Sequence, residues 1–440
     1  MKNYFYDVIG ILEKKILPQE KYTLWFSGEV LDYARFNHAQ IRQAGTTYQQ
    51  NITLSLIVDE KHLSMTFGLT KNLNVDTVCI GNALKHLREL IIFSSPDPYL
   101  MLNDKACSSE VIGSHKVEDK FSVVSQVLDQ AAGLDLVGSY VGGPIYKGFA
   151  NSFGQRNWFE SASFIVDTSV YHSGDKAIKQ SYSDTTFNHE IFQQKMNQAR
   201  EGLELFQKPS LSIKPQEYRV YFAPSAVYEI LCMMNWQGFS RKALELKSSL
   251  LTLLAEGKKN LSEMFSLYEN TKEGVGPNFQ ANGFIKQDKL AIIENGTLKN
   301  SLISPKTARE YKLDHNGADD GESMCSIEML PGNLSESDIL PTLGDGLVIN
   351  NLWYLNFSDK QNGYLTGMTR FLCYAVKNGK AEAPFSVMRF DDSIYRIFGE
   401  NLLGISQMRE KIIDNTTYEE RATSWAKVPG VLVDKLRLTL

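Results

Sequence analysis

The 440-residue chain has little of what marks the specialised protein classes. Five cysteines, Cys79, Cys107, Cys232, Cys325 and Cys373, form no Cys-x-x-Cys pair and leave an odd one, which fits reduced thiols in a cytoplasm better than a disulfide framework. No segment reaches the roughly 18 apolar residues that a membrane helix needs. The N-terminus interrupts its apolar residues with Asp7, Glu13, Lys14 and Lys15, unlike a signal peptide. A cytoplasmic location without membrane contact is expected. Charge of one sign is also lacking: 46 Lys plus Arg against 51 Asp plus Glu gives −5, without long runs. Nucleic acid is therefore not expected as the main partner, because phosphate binding needs a clustered positive surface.

Present instead is the profile of a well-packed protein, 43% apolar and 22% charged, too long for one hydrophobic core. Val8, Ile9, Leu12 and Ile16 recur at helical spacing and predict an opening helix. Thr23–Asp32, Asn51–Val58 and Leu63–Leu69 read as strands, and Val75–Phe93 returns to a helix. After a polar linker at 105–116, Phe121–Leu134 reads as helix, Val137–Tyr146 and Trp158–Tyr171 as strands, and Tyr182–Thr186 as loop. Asn188 and Glu190 open a further amphipathic helix, and Pro209–Glu217 forms a second linker. Beyond it come a strand at Tyr218–Phe222 and a helix through Ile230, Leu231 and Met234, then strands and tight turns. Asn295-Gly296 and Asn378-Gly379, each between apolar runs, predict type I′ hairpins, which need positive φ at both central positions. The expected class is α+β: an N-terminal mixed α/β region followed by a large, mainly antiparallel β domain with peripheral helices. The expected units are 1–104, 117–208 and 217–440, with the first two separate or packed as one.

Candidate chemistry is sparse. No two of the seven histidines lie within ten residues of each other, and His189-Glu190 is followed by Gln193 and Gln194 where a helical zinc site wants its second imidazole. The acidic stretch Asp314–Glu322 carries Ala318 where a calcium loop wants Asp or Asn, so a solvated loop is expected. Gly142-Gly143-Pro144 and Gly274-Val275-Gly276-Pro277 read as turns, lacking the endings of phosphate cradles. Cys232, within Glu229-Ile230-Leu231-Cys232-Met233-Met234, reads as a core cysteine. No serine sits in Gly-x-Ser-x-Gly.

Several ordered segments resemble the TldD/PmbA family, on its TldE (PmbA) side: Lys247-Ser248-Ser249; Ala291 to Leu298 followed by Leu302-Ile303-Ser304 and Thr307-Ala308-Arg309; Gly346 to Leu352; and Leu365-Thr366-Gly367. The N-terminal half matches through its layout and a stretch around Ile41–Gly45. The resemblance implies a cytoplasmic assembly that trims peptides and loosely structured segments. In it a TldD subunit holds zinc through His-Glu-x-x-x-His and a C-terminal Cys, and a TldE-type partner lacks that motif. Here the motif position falls approximately at Leu231, Cys232 and Trp236, and Trp425–Gly430 offers no Cys. The expectation is therefore a non-catalytic subunit with no cofactor of its own, zinc residing in a TldD-like partner, in a heterodimer or homodimer that takes extended peptides. Candidate cleft residues are Asn350, Asn351, Trp353, Thr366 and Arg370. A divergent peptidase and a homo-oligomeric peptide-binding protein are the alternatives.

Overall fold

Two large sheets carry the chain in the computed structural model, which describes residues 1–113 and 119–439. Of the expected 105–116 linker, residues 114–116 lie outside the described residues, as does His115.

The N-terminal sheet has, among the described residues, seven strands: β1 (Lys21–Asn37), β2 (Gln40–Val58), β3 (Lys61–Gly68), β4 (Ser109–Ile112), β5 (Asp135–Asn151), β6 (Arg156–Ser173) and β7 (Lys176–Asp184). Their order is β3-β2-β1-β5-β6-β4, with β7 also on β6. Pairing of β1 with β5 joins segments from the 1–104 and 117–208 regions into one ladder. β1 and β2 run well past their apolar stretches, through Tyr33–Asn37 and Gln40–Gln50, because pairing satisfies the backbone of both strands even where their side chains face water. Two strand-length features depart from the sequence reading. Tyr182–Asp184 belongs to β7 rather than to a loop, since Tyr182 pairs with Val166 and packs its ring on Phe164. Gly142-Gly143-Pro144 lies inside β5 rather than in a turn. There Gly143 has φ +130°, and a Cβ on it would stand 2.2 Å from the Val30 carbonyl oxygen, so only glycine lets β1 and β5 approach at this irregularity.

Helices cover the two ends of this elongated sheet. α1 (Lys2–Glu13) and α2 (Leu73–Leu90), the latter capped by Asn72, bury Phe5, Val8, Leu12, Ile80 and Leu84 against Phe26, Leu54 and Trp158. α3 (Lys120–Gln130) and α4 (His189–Phe206), capped by Asp119 and Asn188, bury Val127, Phe192 and Met196 against Phe164 and Val166. Each such side chain contributes roughly 1.5–3 kcal/mol on leaving water.

The C-terminal sheet comprises β8 (Glu217–Phe222), β9 (Leu267–Glu269), β10 (Leu290–Glu294), β11 (Thr297–Leu298), β12 (Ser326–Met329), β13 (Gly346–Asp359), β14 (Tyr364–Lys377), β15 (Lys380–Pro384), β16 (Arg389–Ser393), β17 (Leu402–Ile413) and β18 (Trp425–Arg437). Its order is β11-β10-β9-β12-β18-β8-β13-β14-β15, with β16 on β14 and β17 on β18. Asn295-Gly296 and Asn378-Gly379 take the expected left-handed conformations, φ 49° and 72° in one hairpin and 50° and 72° in the other. The helix α5 (Pro224–Asn235) lies on this sheet and buries Val227, Ile230, Leu231 and Met234 completely.

The sheets are tied together by the segment between β17 and β18. Arg421 is 2% exposed and reaches into the N-terminal sheet, where Nε pairs with Glu29 Oε2 at 2.8 Å and the two Nη atoms donate to the carbonyls of Ser163 and Gly143. Lys147 Nζ adds an ion pair to Glu420 at 2.8 Å. The acidic loop 314–322 is anchored as well. Glu322, expected in solvent, is 1% exposed and accepts hydrogen bonds from Ser240 Oγ, Lys242 N and Ser304 N, because three donors from two other segments converge on its carboxylate. No helix among the described residues is long and apolar enough to cross a membrane.

Candidate functional site

Between the sheets lies a cleft of about 940 Å³. One wall is built by Ile178–Ser181 of β7. That strand pairs with β6 alone among the described strands, so its other edge is unpaired by any strand. α4 supplies the second wall through Lys195, Gln198, Glu201, Gly202 and Leu205, which recur at i, i+3, i+4 and so share one face of the helix. Gly202 lets the helix sit down on the sheets: a Cβ there would meet Leu372 and Ile178 at 2.6 and 2.7 Å. The floor comes from the C-terminal sheet, through Tyr221, Asn350, Asn351, Leu372 and Tyr374, and from β17 and the first half of α5.

α5 turns two chemistries in opposite directions. Its inward face is apolar core, while Ser225, Tyr228 and Glu229 line the cleft. The Glu229 carboxylate accepts the Leu352 N–H at 2.9 Å. Burial pushes its pKa from the ordinary 4.5 up to about 7, an effect offset only in part by that hydrogen bond and by Lys179. The helix thereby places a carboxyl group that can exchange a proton near neutrality beside an unpaired strand edge. Cys232, read from the sequence as a core residue, is exposed, since it lies on the outer side of the helix from Leu231. Protein atoms nevertheless surround the thiol, and burial of its polar atom pushes it up to about 12, with a Tyr228 hydrogen bond opposing and the Asp414 and Glu229 charges adding to the rise. It is a poor nucleophile in this setting.

The predicted cleft residues divide. Asn350 and Asn351 line the cleft, and Asn350 Nδ2 donates to the Leu372 carbonyl at 2.7 Å. Trp353, Thr366 and Arg370 lie further out on the β13–β14 hairpin. Trp353 is 48% exposed beneath the Arg370 guanidinium, 4.5 Å from the ring centre, and Thr366 Oγ1 donates to the Phe390 carbonyl. The hairpin bends between these groups: Tyr354 and Phe371 have φ 51° and 57°, and the pairing register slips on either side of Leu352. Trp236 is exposed against Phe357, with ring centres 5.9 Å apart.

Whether these residues suit zinc follows from their donors. Among the described residues, no three His, Cys, Asp or Glu side chains gather so as to hold an ion. On α5 the potential ligands are Cys232, a thiol held protonated, and Glu229, a carboxyl whose charge is disfavoured, the opposite of the deprotonated set that zinc requires. The fit is poor, and no step through a metal is derived for this chain.

Sequence reasoning missed Tyr228, Glu229, Asp414 and the β7 edge. Glu229 carried a signal, being the lone acid in the run Ala226-Val227-Tyr228-Glu229-Ile230-Leu231. Without a cation at helical spacing, such an acid is solvated or functional.

Comparison with known proteins bears on this architecture. Residues 215–440 match the model of the PmbA/TldA metallopeptidase C-terminal domain. No curated protein matches the sequence. Among solved structures, TldE from Thermococcus kodakarensis superposes with a TM-score of 0.76 at 14% identity, covering 99% of this chain and 100% of that one. A candidate DNA gyrase modulator from Thermotoga maritima gives 0.75 at 15% identity with 99% of both chains covered. Another, from Bacteroides thetaiotaomicron, gives 0.75 at 16% identity, with 100% of this chain and 98% of that one covered. At such identities the likeness is one of fold.

Proposed function

The chain belongs to the TldD/PmbA family, and from that premise we propose that it is a TldE-like subunit that seats extended peptides for a zinc-bearing TldD-like partner. The observation that carries this reading is the cleft itself. It presents an unpaired strand edge, β7, to which an extended segment can add by main-chain hydrogen bonds, beside a helix with no metal-ligand set. The activity, the partnership and a cytoplasmic setting are parts of this proposal. Zinc chemistry then belongs to the partner and peptide capture to this chain.

The test is co-expression with a TldD-like chain bearing His-Glu-x-x-x-His from the same genome, followed by size exclusion and thermal unfolding. Co-elution with a raised melting temperature is expected, because a partner that binds only the folded state stabilises it by mass action. Separate elution with an unchanged melting temperature refutes the pairing.

One observation favours a second reading, that the chain itself cleaves peptides. Glu229 has the pKa of a general acid or base working near neutrality. Cleavage of an unstructured peptide by the purified chain, abolished by Glu229→Gln and insensitive to chelator, would establish it.

A further inference from the structure

The charges lining the cleft are unevenly matched. Two of its lysines are ion-paired, Lys179 with Asp167 at 2.6 Å and Lys195 with Glu410 at 2.9 Å, while the third, Lys208, donates to the Glu382 carbonyl at 2.7 Å, which orients its charge without neutralising it. Its remaining carboxyl groups, Glu201, Glu204, Glu229, Glu336 and Asp414, face the cleft with no ion pair to any described residue. They come from α4, α5, the turn before the short helix at Ile339–Leu343 and the end of β17, so they surround the space instead of clustering on one element. Asp414 and Glu336 accept backbone hydrogen bonds, from Thr416 and Met408, which orient them without neutralising them. No arginine lines the cleft. A concave site in which carboxyl groups without an ion pair outnumber the one such lysine concentrates a negative field and recruits ligands of the opposite sign.

We propose that the cleft selects extended peptides carrying a basic side chain, lysine or arginine, whose cation sits among Glu201, Glu229 and Asp414 while the peptide backbone adds to β7. This rests on the peptide-seating reading above and names its substrate class. The complementarity is specific to this cavity, because the chain's overall excess of five negative charges is spread over 440 residues. A basic side chain entering the cleft replaces water with charge-assisted hydrogen bonds, and beside the half-buried Glu229 and Asp414 these are stronger than at an open surface. An acidic side chain meets repulsion and is rejected.

The experiment measures fluorescence anisotropy of the full chain with three labelled, end-capped peptides that differ only at their central residue: lysine, norleucine or glutamate. Affinity is expected to run lysine, norleucine, glutamate, with lysine about tenfold tighter than norleucine, the size of a single charge-assisted contact. That preference should shrink as salt is raised. Asp414→Asn and Glu201→Gln, neutral replacements of nearly unchanged shape, should each narrow the gap between lysine and norleucine affinity by severalfold, and a gap that stays at its native size in both variants overturns the placement of the cation. Equal affinity for lysine and norleucine overturns the charge inference and leaves the peptide seat standing. Absence of saturable binding by all three peptides removes the seat and the inference together.

Discussion

Replacing Glu229 with glutamine isolates the electrostatic character of the cleft in one measurement. The folded protein holds this carboxyl's pKa near 7 against an ordinary 4.5, so the native state binds the proton more tightly than the unfolded chain does. Stability from this group is therefore fully present below 4.5. It is lost as pH rises through the window to about 7, above which the buried negative charge carries its full penalty. At 1.36 kcal/mol per pH unit the penalty amounts to about 3 kcal/mol, reduced to about 1–2 where water in the open cleft solvates the charge. Glutamine keeps an oxygen to accept the Leu352 N–H and carries no charge. The variant should match the native chain at about pH 4 and exceed it by about 1–2 kcal/mol at about pH 8.5. For a unit the size of the C-terminal sheet that is a gain of roughly 3–6 °C in melting temperature. The neighbouring thiol and phenol, Cys232 and Tyr228, are both pushed upward and stay protonated throughout this range. Thermal unfolding followed by tryptophan fluorescence at the two pH values checks it. A destabilised variant at alkaline pH, or an equal change at both, would refute a carboxyl strained by desolvation.

Further substitutions test how the cleft is held. Arg421→Ala leaves Glu29 buried without its partner and should cost about 3–5 kcal/mol, whereas adding Glu29→Ala should recover part of that loss. The same Arg421→Ala variant should become sensitive to limited proteolysis between Asp414 and Ser424, since the segment's anchor to the other sheet is gone. Glu322→Ala strands three buried or half-buried donors and should lower stability by about 2–4 kcal/mol in urea unfolding. Gly143→Ala should cost more than about 2 kcal/mol because its Cβ meets the Val30 carbonyl. Gly154→Ala, at φ +79° with open space around it, should cost about 1 kcal/mol in the same assay.

Legibility in the sequence followed the range of the interaction that decides each element. Local signals were readable: the apolar spacing of α1 and α2, the Asn188 cap of α4, and the Asn-Gly turns at 295–296 and 378–379 all depend on residues a few positions apart. β7 was hidden because Tyr182-Ser183-Asp184 has loop composition, and only its partners on β6, about 18 residues earlier, make it a strand. Glu322 was hidden for the same reason, its three donors lying 18 to 82 residues away. The TldD/PmbA resemblance was visible in short segments of the C-terminal half, where hairpins and the Ser304-capped helix at Pro305–Tyr311 combine turn chemistry with a fixed order. A cleft assembled from β7, α4, α5 and β17 has no local signature, since its walls come from residues 167 to 415.

The two faces of α5 explain how one fold can serve different chemistries. Val227, Ile230, Leu231 and Met234 are fully buried against β8, β13 and β18, and any polar replacement there would leave an unsatisfied group in the core. Ser225, Tyr228 and Glu229 line the cleft half-buried and lie outside that apolar core. The helix, the sheet beneath it and the strap through Arg421 therefore persist whatever the outer face carries. Imidazoles on that face would find the same rigid support that here positions a phenol and a raised carboxyl. On the peptide-seating reading, the chemistry of this cleft is set by the few side chains that α5 turns toward it, while the β7 edge across it supplies backbone contacts to an extended ligand.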